Sequence, residues 1–186
     1  MYNLKVIIAS TRPGRKGPLV ADWFLNILKE HREFGVEVLD LKEIGLPFLD
    51  EPNHPRLKQY TKEHTKKWSK TIDSGDAFVV VTPEYNYGFP ATIKNALDFL
   101  YQEWRYKPMA FVSYGGLSGG IRAVQMLKQV VTTLNMVPVT QAVNIPFFSN
   151  HIKEGKFEGN EMLEKSANTM IDELLRWTKA MKTMRV

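Results

Sequence analysis

Three short segments gather most of the side chains able to bind or react. The first, "ASTRPGRKGP" (residues 9–18), places two hydroxyls, Ser10 and Thr11, beside two guanidinium groups, Arg12 and Arg15. Hydroxyl donors and forked cationic donors both suit phosphate oxygens. The second, "TPEYNYG" (residues 82–88), sets Glu84 and Asn86 among Pro83, Tyr85 and Tyr87. Proline restricts the backbone, and tyrosines present flat apolar faces with polar tips. The third, "SYGGLSGG" (residues 113–120), follows Ser113 and Tyr114 with Gly115, Gly116, Gly119 and Gly120. Such a run lets backbone approach a ligand closely.

Each segment also has an ordinary explanation. The first could be a strand-to-helix turn with Ser or Thr as its cap, and the third a flexible loop that opens a helix. The second could be a polar hairpin-like turn, but the helical pattern after it disfavours a hairpin. Their shared setting separates these readings, because each segment leaves an apolar run and enters a helical pattern. Short apolar runs at Val6–Ala9, Val36–Leu39, Ala77–Thr82, Met109–Val112 and Val137–Val143 predict five strands. Apolar residues at helical spacing predict helices over Leu19–Glu30, Ile93–Tyr101, Ala123–Leu134 and Leu163–Leu175, and Leu57–Ile72 reads as a polar helix. Lys42–Arg56, with three prolines, reads as a loop.

Strict alternation of strand and helix predicts an α/β fold with a five-stranded parallel sheet covered by helices on both faces. Five strands favour the flavodoxin-like order 2-1-3-4-5. Residues 1–186 read as one domain. Ligands of such sheets sit beyond the carboxyl ends of the strands, which is where all three segments fall. In the first, unpaired N–H groups at a helix start favour an anion. It lacks both GxGxxG and a Lys-Ser/Thr ending, which disfavours a dinucleotide fingerprint and a nucleoside-triphosphate loop.

Composition closes off other chemistry. The absence of cysteine excludes disulfides, thiolate nucleophiles and zinc–thiolate sites. The formal charge of +5 arises from basic residues scattered along the chain, without a nucleic-acid motif, so no nucleic-acid partner is expected. No apolar stretch approaches the roughly 20 residues of a membrane span, and "MYNLKVIIAS" does not read as a signal peptide. A cytoplasmic protein without a membrane partner is expected. His31, His54, His64 and His151 are dispersed, and none is assigned to catalysis or to a metal.

The motifs "STRPGR", "TPEYNYGFPATIKNALDFL" and "KPMAFVSYGG", with "EHTKKWSKTIDSGDAFVVVTPEYN", resemble the NADPH-dependent FMN reductase family, in order from Val6 to Leu134. The resemblance implies bound FMN, with Ser10, Arg12 and Arg15 on its phosphate. It implies Pro83, Glu84, Tyr85 and Asn86 along the isoalloxazine ring, with backbone amides near N5, and Ser113, Tyr114, Gly115 and Gly116 at the pyrimidine end. Many family members carry Ser or Asn where this chain has Lys16 and Gly17. The implied activity passes hydride from NADPH or NADH through FMN N5 to a small-molecule electron acceptor such as a quinone, an azo compound, free flavin or a metal oxyanion. No side chain is expected to act as a catalytic acid or base. Relatives form dimers or tetramers, which implies a homodimer or homotetramer here. The aromatic segment "FLYQEWRYKP", with Phe99, Tyr101, Trp104 and Tyr106, could serve that interface or the core. Two rivals are a flavodoxin-type electron carrier and an interaction protein that has lost the cofactor.

Overall fold

Strand β3 (Ala77–Pro83) is buried along its whole length, as is β4 (Pro108–Tyr114). Side chains alternate across a strand, so each feeds two cores at once. On one face Val79, Val81, Ala110 and Val112 pack with Val6 and Ile8 of β1 (Tyr2–Ile8), under helices α1 (Gly17–Leu28) and α6 (Glu161–Lys182). On the other, Ile7, Phe78, Val80, Met109 and Phe111 pack under α3 (Glu63–Asp73), α4 (Ala91–Asp98) and α5 (Ile121–Thr133). Runs without a polar residue are what double burial demands. The computed structural model describes residues 1–185.

β1 pairs in parallel with β2 (Phe34–Asp40) on one side and β3 on the other, and β3 pairs with β4. The order is β2-β1-β3-β4-β5, the flavodoxin-like arrangement expected from the sequence. The fifth position differs in detail from the expected continuous strand Val137–Val143. It consists of β5 (Val137–Pro138) and β6 (Val143–Ile145), both parallel to β4. Val137 lies opposite Pro108 and Val143 opposite Val112, so two extra residues lie between the pieces. Pro138 cannot donate to a ladder, and an interrupted strand tolerates it. A short antiparallel pair, β7 (Ile152–Lys153) and β8 (Lys156–Phe157), was not foreseen.

The expected loop after β2 begins with one helical turn, α2 (Leu41–Ile44), capped by the Asp40 carboxylate and ended by Gly45 at φ 63°. The polar helix starts at Glu63 rather than Leu57. Leu57 belongs to a 3₁₀ turn, Pro55–Leu57, closed by Lys58 at φ 53°. The true start is made from outside the helix. The Glu51 carboxylate accepts the N–H groups of Thr61 (2.8 Å) and Lys62 (2.9 Å). Burial opposes its ionisation, but those bonds prevail and draw its pKa down to about 2.

The aromatic segment divides. Phe99 and Trp104 are fully buried, whereas Tyr101 and Tyr106 are half-buried. The Trp104 ring lies edge-on to Phe78 (centroids 5.0 Å apart) and its Nε1–H donates to the Leu97 carbonyl at 3.1 Å. Trp104→Ala removes that packing and leaves a cavity; the expected loss is about 3–5 kcal/mol of unfolding free energy, measured by denaturant titration.

Candidate cofactor-binding site

The first loop, residues 9–16, joins β1 to α1. Its approach to the sheet is unusually tight. A Cβ on Gly17 would lie 2.4 Å from Ser10 Oγ and 3.0 Å from Tyr114 Oη. The helix start therefore sits directly against Ser10, which is fully buried and receives a hydrogen bond from the Tyr114 hydroxyl at 3.2 Å. Burial pushes that phenol up to about 12, so Tyr114 stays a neutral donor at ordinary pH.

The two arginines of this loop part company. Arg15 forms a bidentate pair with Asp40 at the end of β2, with Nη2 to Oδ2 at 2.6 Å. Its Nη1 also donates to the Ser10 carbonyl at 2.8 Å. Burial favours the neutral acid at Asp40, but Arg15 and the Lys42 N–H outweigh it and hold the carboxyl below its usual range. Arg12 and Lys16, by contrast, are exposed.

The second loop corrects the sequence reading, which disfavoured a hairpin. Tyr85 and Gly88 exchange both backbone hydrogen bonds, N–H to carbonyl, at 2.8 and 2.9 Å. Asn86 and Tyr87 between them have φ of 49° and 68°. Two consecutive positive φ angles mark a type I′ turn. A tight hairpin turn and a following helix coexist because Pro90 caps the start of α4 two residues later.

The third loop returns toward β6. Gly120, at φ 84°, opens α5, and a Cβ there would lie 2.8 Å from Ser113 Cβ. Gly115 and Gly116 accept the N–H groups of Phe148 (3.2 Å) and Phe147 (2.9 Å). That anchors Phe148, whose ring meets Tyr114 edge-on at 5.1 Å.

These loops enclose a cleft of about 270 Å³ at the carboxyl edge of the sheet. Of the residues expected there, Arg12, Arg15, Pro83, Glu84, Tyr85, Tyr114, Gly115 and Gly116 line it. Ser10 and Ser113 lie beneath its walls. Ser113 Oγ is 2.7 Å from the Gly119 carbonyl, to which it donates, and 2.9 Å from the Asn144 amide. Asn86, at the tip of the turn, is exposed and does not line the cleft. Lys16 and Phe148 also line the cleft, and the sequence reading missed both as site residues. Phe148 has no local signal, because only the pairing of β6 with β4 carries it there.

The donor set fits a planar group with an anionic tail. Arg12, Lys16 and the N-terminus of α1 supply positive potential at one end. Tyr85, Tyr114 and Phe148 supply flat walls, and Gly115 and Gly116 expose backbone beside them. A larger cleft of about 530 Å³ lies at the opposite edge, where several charges are engaged within the chain while Arg105 Nε and Arg185 Nε and Nη2 are buried without a hydrogen-bond partner. Lys107 donates to the carbonyls of Ile72 and Asp73, and Lys182 pairs with Asp76.

An open parallel sheet with a basic, aromatic-walled cleft beyond β1, β3 and β4 defines a flavin- or nucleotide-binding protein of flavodoxin-like fold. Residues 2–150 match the family model described as NADPH-dependent FMN reductase. An NAD(P)H-dependent FMN reductase of Schizosaccharomyces pombe is 45% identical over 148 residues, covering 77% of this chain and 74% of the relative. An FMN-dependent NADPH-azoreductase of Staphylococcus saprophyticus is 25% identical over 180 residues, 94% of each chain. The solved flavoenzyme NAD(P)H:(acceptor) oxidoreductase of Paracoccus denitrificans superposes with a TM-score of 0.74 at 21% identity, covering 97% of this chain and 98% of that one. The chain belongs to the NADPH-dependent FMN reductase family and is an oxidoreductase that uses FMN with NAD(P)H as electron donor.

Two substitutions separate the roles in the first loop. Arg12→Ala is expected to weaken FMN binding about tenfold, with thermal stability unchanged, because it removes a surface cation from the anion end. Arg15→Ala is expected to lower the melting temperature as well, since it leaves the part-buried Asp40 unpaired. FMN fluorescence titration and calorimetry check the pair.

Proposed function

We propose that this chain is an FMN-dependent NAD(P)H oxidoreductase that delivers hydride to small-molecule acceptors: quinones, azo compounds, free flavin or metal oxyanions. The observation that carries the reading is the cleft itself, cationic at Arg12 and Lys16 and walled by Tyr85, Tyr114 and Phe148. When bound, FMN would supply the hydride chemistry between the nicotinamide and the acceptor.

The chain's own residues do the rest. Arg12, Lys16 and the first-loop amides hold the phosphate, with Ser10 and Arg15 shaping the loop around it. Pro83, Glu84 and Tyr85 form one wall, and Tyr114, Gly115 and Gly116 the other. Ser113 and Asn86 act indirectly, by bracing the third loop and turning the second. Loop N–H groups other than those of Tyr85 and Gly115, which bond Gly88 and Ile145, would stabilise negative charge on the ring without reorganising. Proton transfer is left to solvent, and no side chain is assigned to it. Among the described residues, no group of three or more His, Cys, Asp or Glu could hold a metal ion.

A homodimer or homotetramer belongs to the same reading. Tyr87, Leu117, Ile121 and Phe147 expose 45–81% of their surface around the three loops, and apolar surface of this extent beside a site suits a second copy. A cytoplasmic location accords with the cysteine-free sequence, and no helix among the described residues is long and apolar enough to cross a membrane.

Purified protein with FMN is expected to consume NADPH or NADH and to do so faster when an acceptor is added. A steady-state panel of quinone, azo dye, flavin and chromate, run with both nicotinamides, reads the preference. FMN bound but both nicotinamides left unoxidised would favour the electron-carrier alternative, and failure to bind FMN at micromolar concentration would favour an interaction protein.

A further inference from the structure

Glu84 lies on the loop that walls the cleft, yet its carboxylate is engaged by the neighbouring helix. The side chain is 6% exposed. One carboxylate oxygen accepts from Arg122 Nε at 2.5 Å and also pairs with Nη2. The other accepts the backbone N–H of Arg122 at 3.1 Å. Arg122 is the second residue of α5, so Glu84 caps that helix from a different loop, where the helix favours negative charge. The same guanidinium lies 3.7 Å from the centre of the Tyr87 ring, a cation–π contact. One side chain thus grips the turn at both Glu84 and Tyr87.

We propose that Arg122 is a positioning residue for the cofactor site: by holding Glu84 and Tyr87 it fixes the Pro83–Tyr85 wall against α5. This rests on FMN binding as read above. The physical reason is the burial of Glu84. A carboxylate removed from water needs a cation or several donors. Without Arg122 it must take up a proton or move outward, and moving outward displaces Pro83 and Tyr85 with it.

The consequence is a pH dependence of binding in variants that lose the Arg122 cation. The groups around Glu84 are Arg122 and Ser118 from α5 and the loop before it, and Tyr85 and Tyr87 from its own loop. Arg12, Arg15, Lys16 and Tyr114 line the same cleft. At present, burial pushes the Glu84 carboxyl up, but hydrogen bonds from Arg122 and Ser118 outweigh it and hold the group below its usual range. Removing the cation shifts that balance toward the neutral acid, with the Ser118 hydroxyl and the backbone N–H of residue 122 left as donors. The protonated acid then tolerates burial at low pH, and the wall loosens as rising pH ionises it.

The test is FMN fluorescence titration of flavin-stripped protein between about pH 5 and pH 8. The quantity read is the ratio of variant to wild-type Kd at each pH, because FMN's own second ionisation near pH 6 acts on all proteins alike. Arg122→Gln is expected to bind about tenfold more weakly than wild type at the alkaline end and to converge on it at the acid end. Arg122→Lys keeps the charge, and the double variant Glu84→Gln with Arg122→Gln removes the acid; both are expected to give ratios flat with pH. Should the glutamine variant fail to fold by circular dichroism, Arg122→Ala carries the same expected profile. A ratio of one throughout, or a weakening by the same factor at every pH, overturns the positioning role. Wild-type protein that does not bind FMN overturns the functional reading and this proposal together, whereas wild-type binding with an unaffected Arg122→Gln overturns this proposal alone.

Discussion

Double burial of β3 and β4 is the constraint on which the rest of the molecule depends. A strand covered on both faces cannot place a polar side chain midway without stranding it from water. Hydrogen-bonding chemistry is therefore driven to the strand ends. At the carboxyl ends, the chain must turn at once into α4 and α5, so the loops are short and their polar groups crowd together. The cleft arises where two such loops meet the loop from β1.

Ion pairing then divides the cations of that edge into two kinds. Arg15 is committed to Asp40 and the Ser10 carbonyl, and Arg122 to Glu84 and Tyr87. These pairs tie loops to elements far away in sequence and leave little charge for a ligand. Arg12 and Lys16, adjacent to the same loops, keep theirs. Residue type alone cannot distinguish a strut from a ligand, since both are arginine in a glycine- and serine-rich loop. The distinction lies in which carboxylate the fold brings alongside.

The opposite edge shows the complementary rule. Helix carboxyl ends gather there with partial negative charge, and Lys107 sits buried against the last carbonyls of α3. Desolvation lowers its pKa to about 8, with nearby acids opposing the shift. Asp76 likewise serves Lys182 and the Asn3 N–H. These bonds make the cleft a joint between the ends of α3 and α6 and the strand starts.

Strand order and the shared edge of the three loops were legible in the sequence, because uninterrupted apolar runs such as "FVVV" report burial on both faces and loops at their carboxyl ends share one edge. The local details were not. The start of α3 at Glu63 is set by Glu51, ten residues before the Thr61 whose N–H it accepts, the fifth strand breaks at a register shift, and Asn86 and Tyr87 adopt positive φ although neither is glycine. Phe148 reaches the cleft only through β6. Hydrophobic periodicity and turn chemistry act over a few residues, so the sequence by itself determined the sheet, its order and the edge where the polar loops gather. Which arginine is free, which acid is buried and which distant ring completes the wall depend on contacts between segments far apart along the chain, and only the tertiary structure decided them.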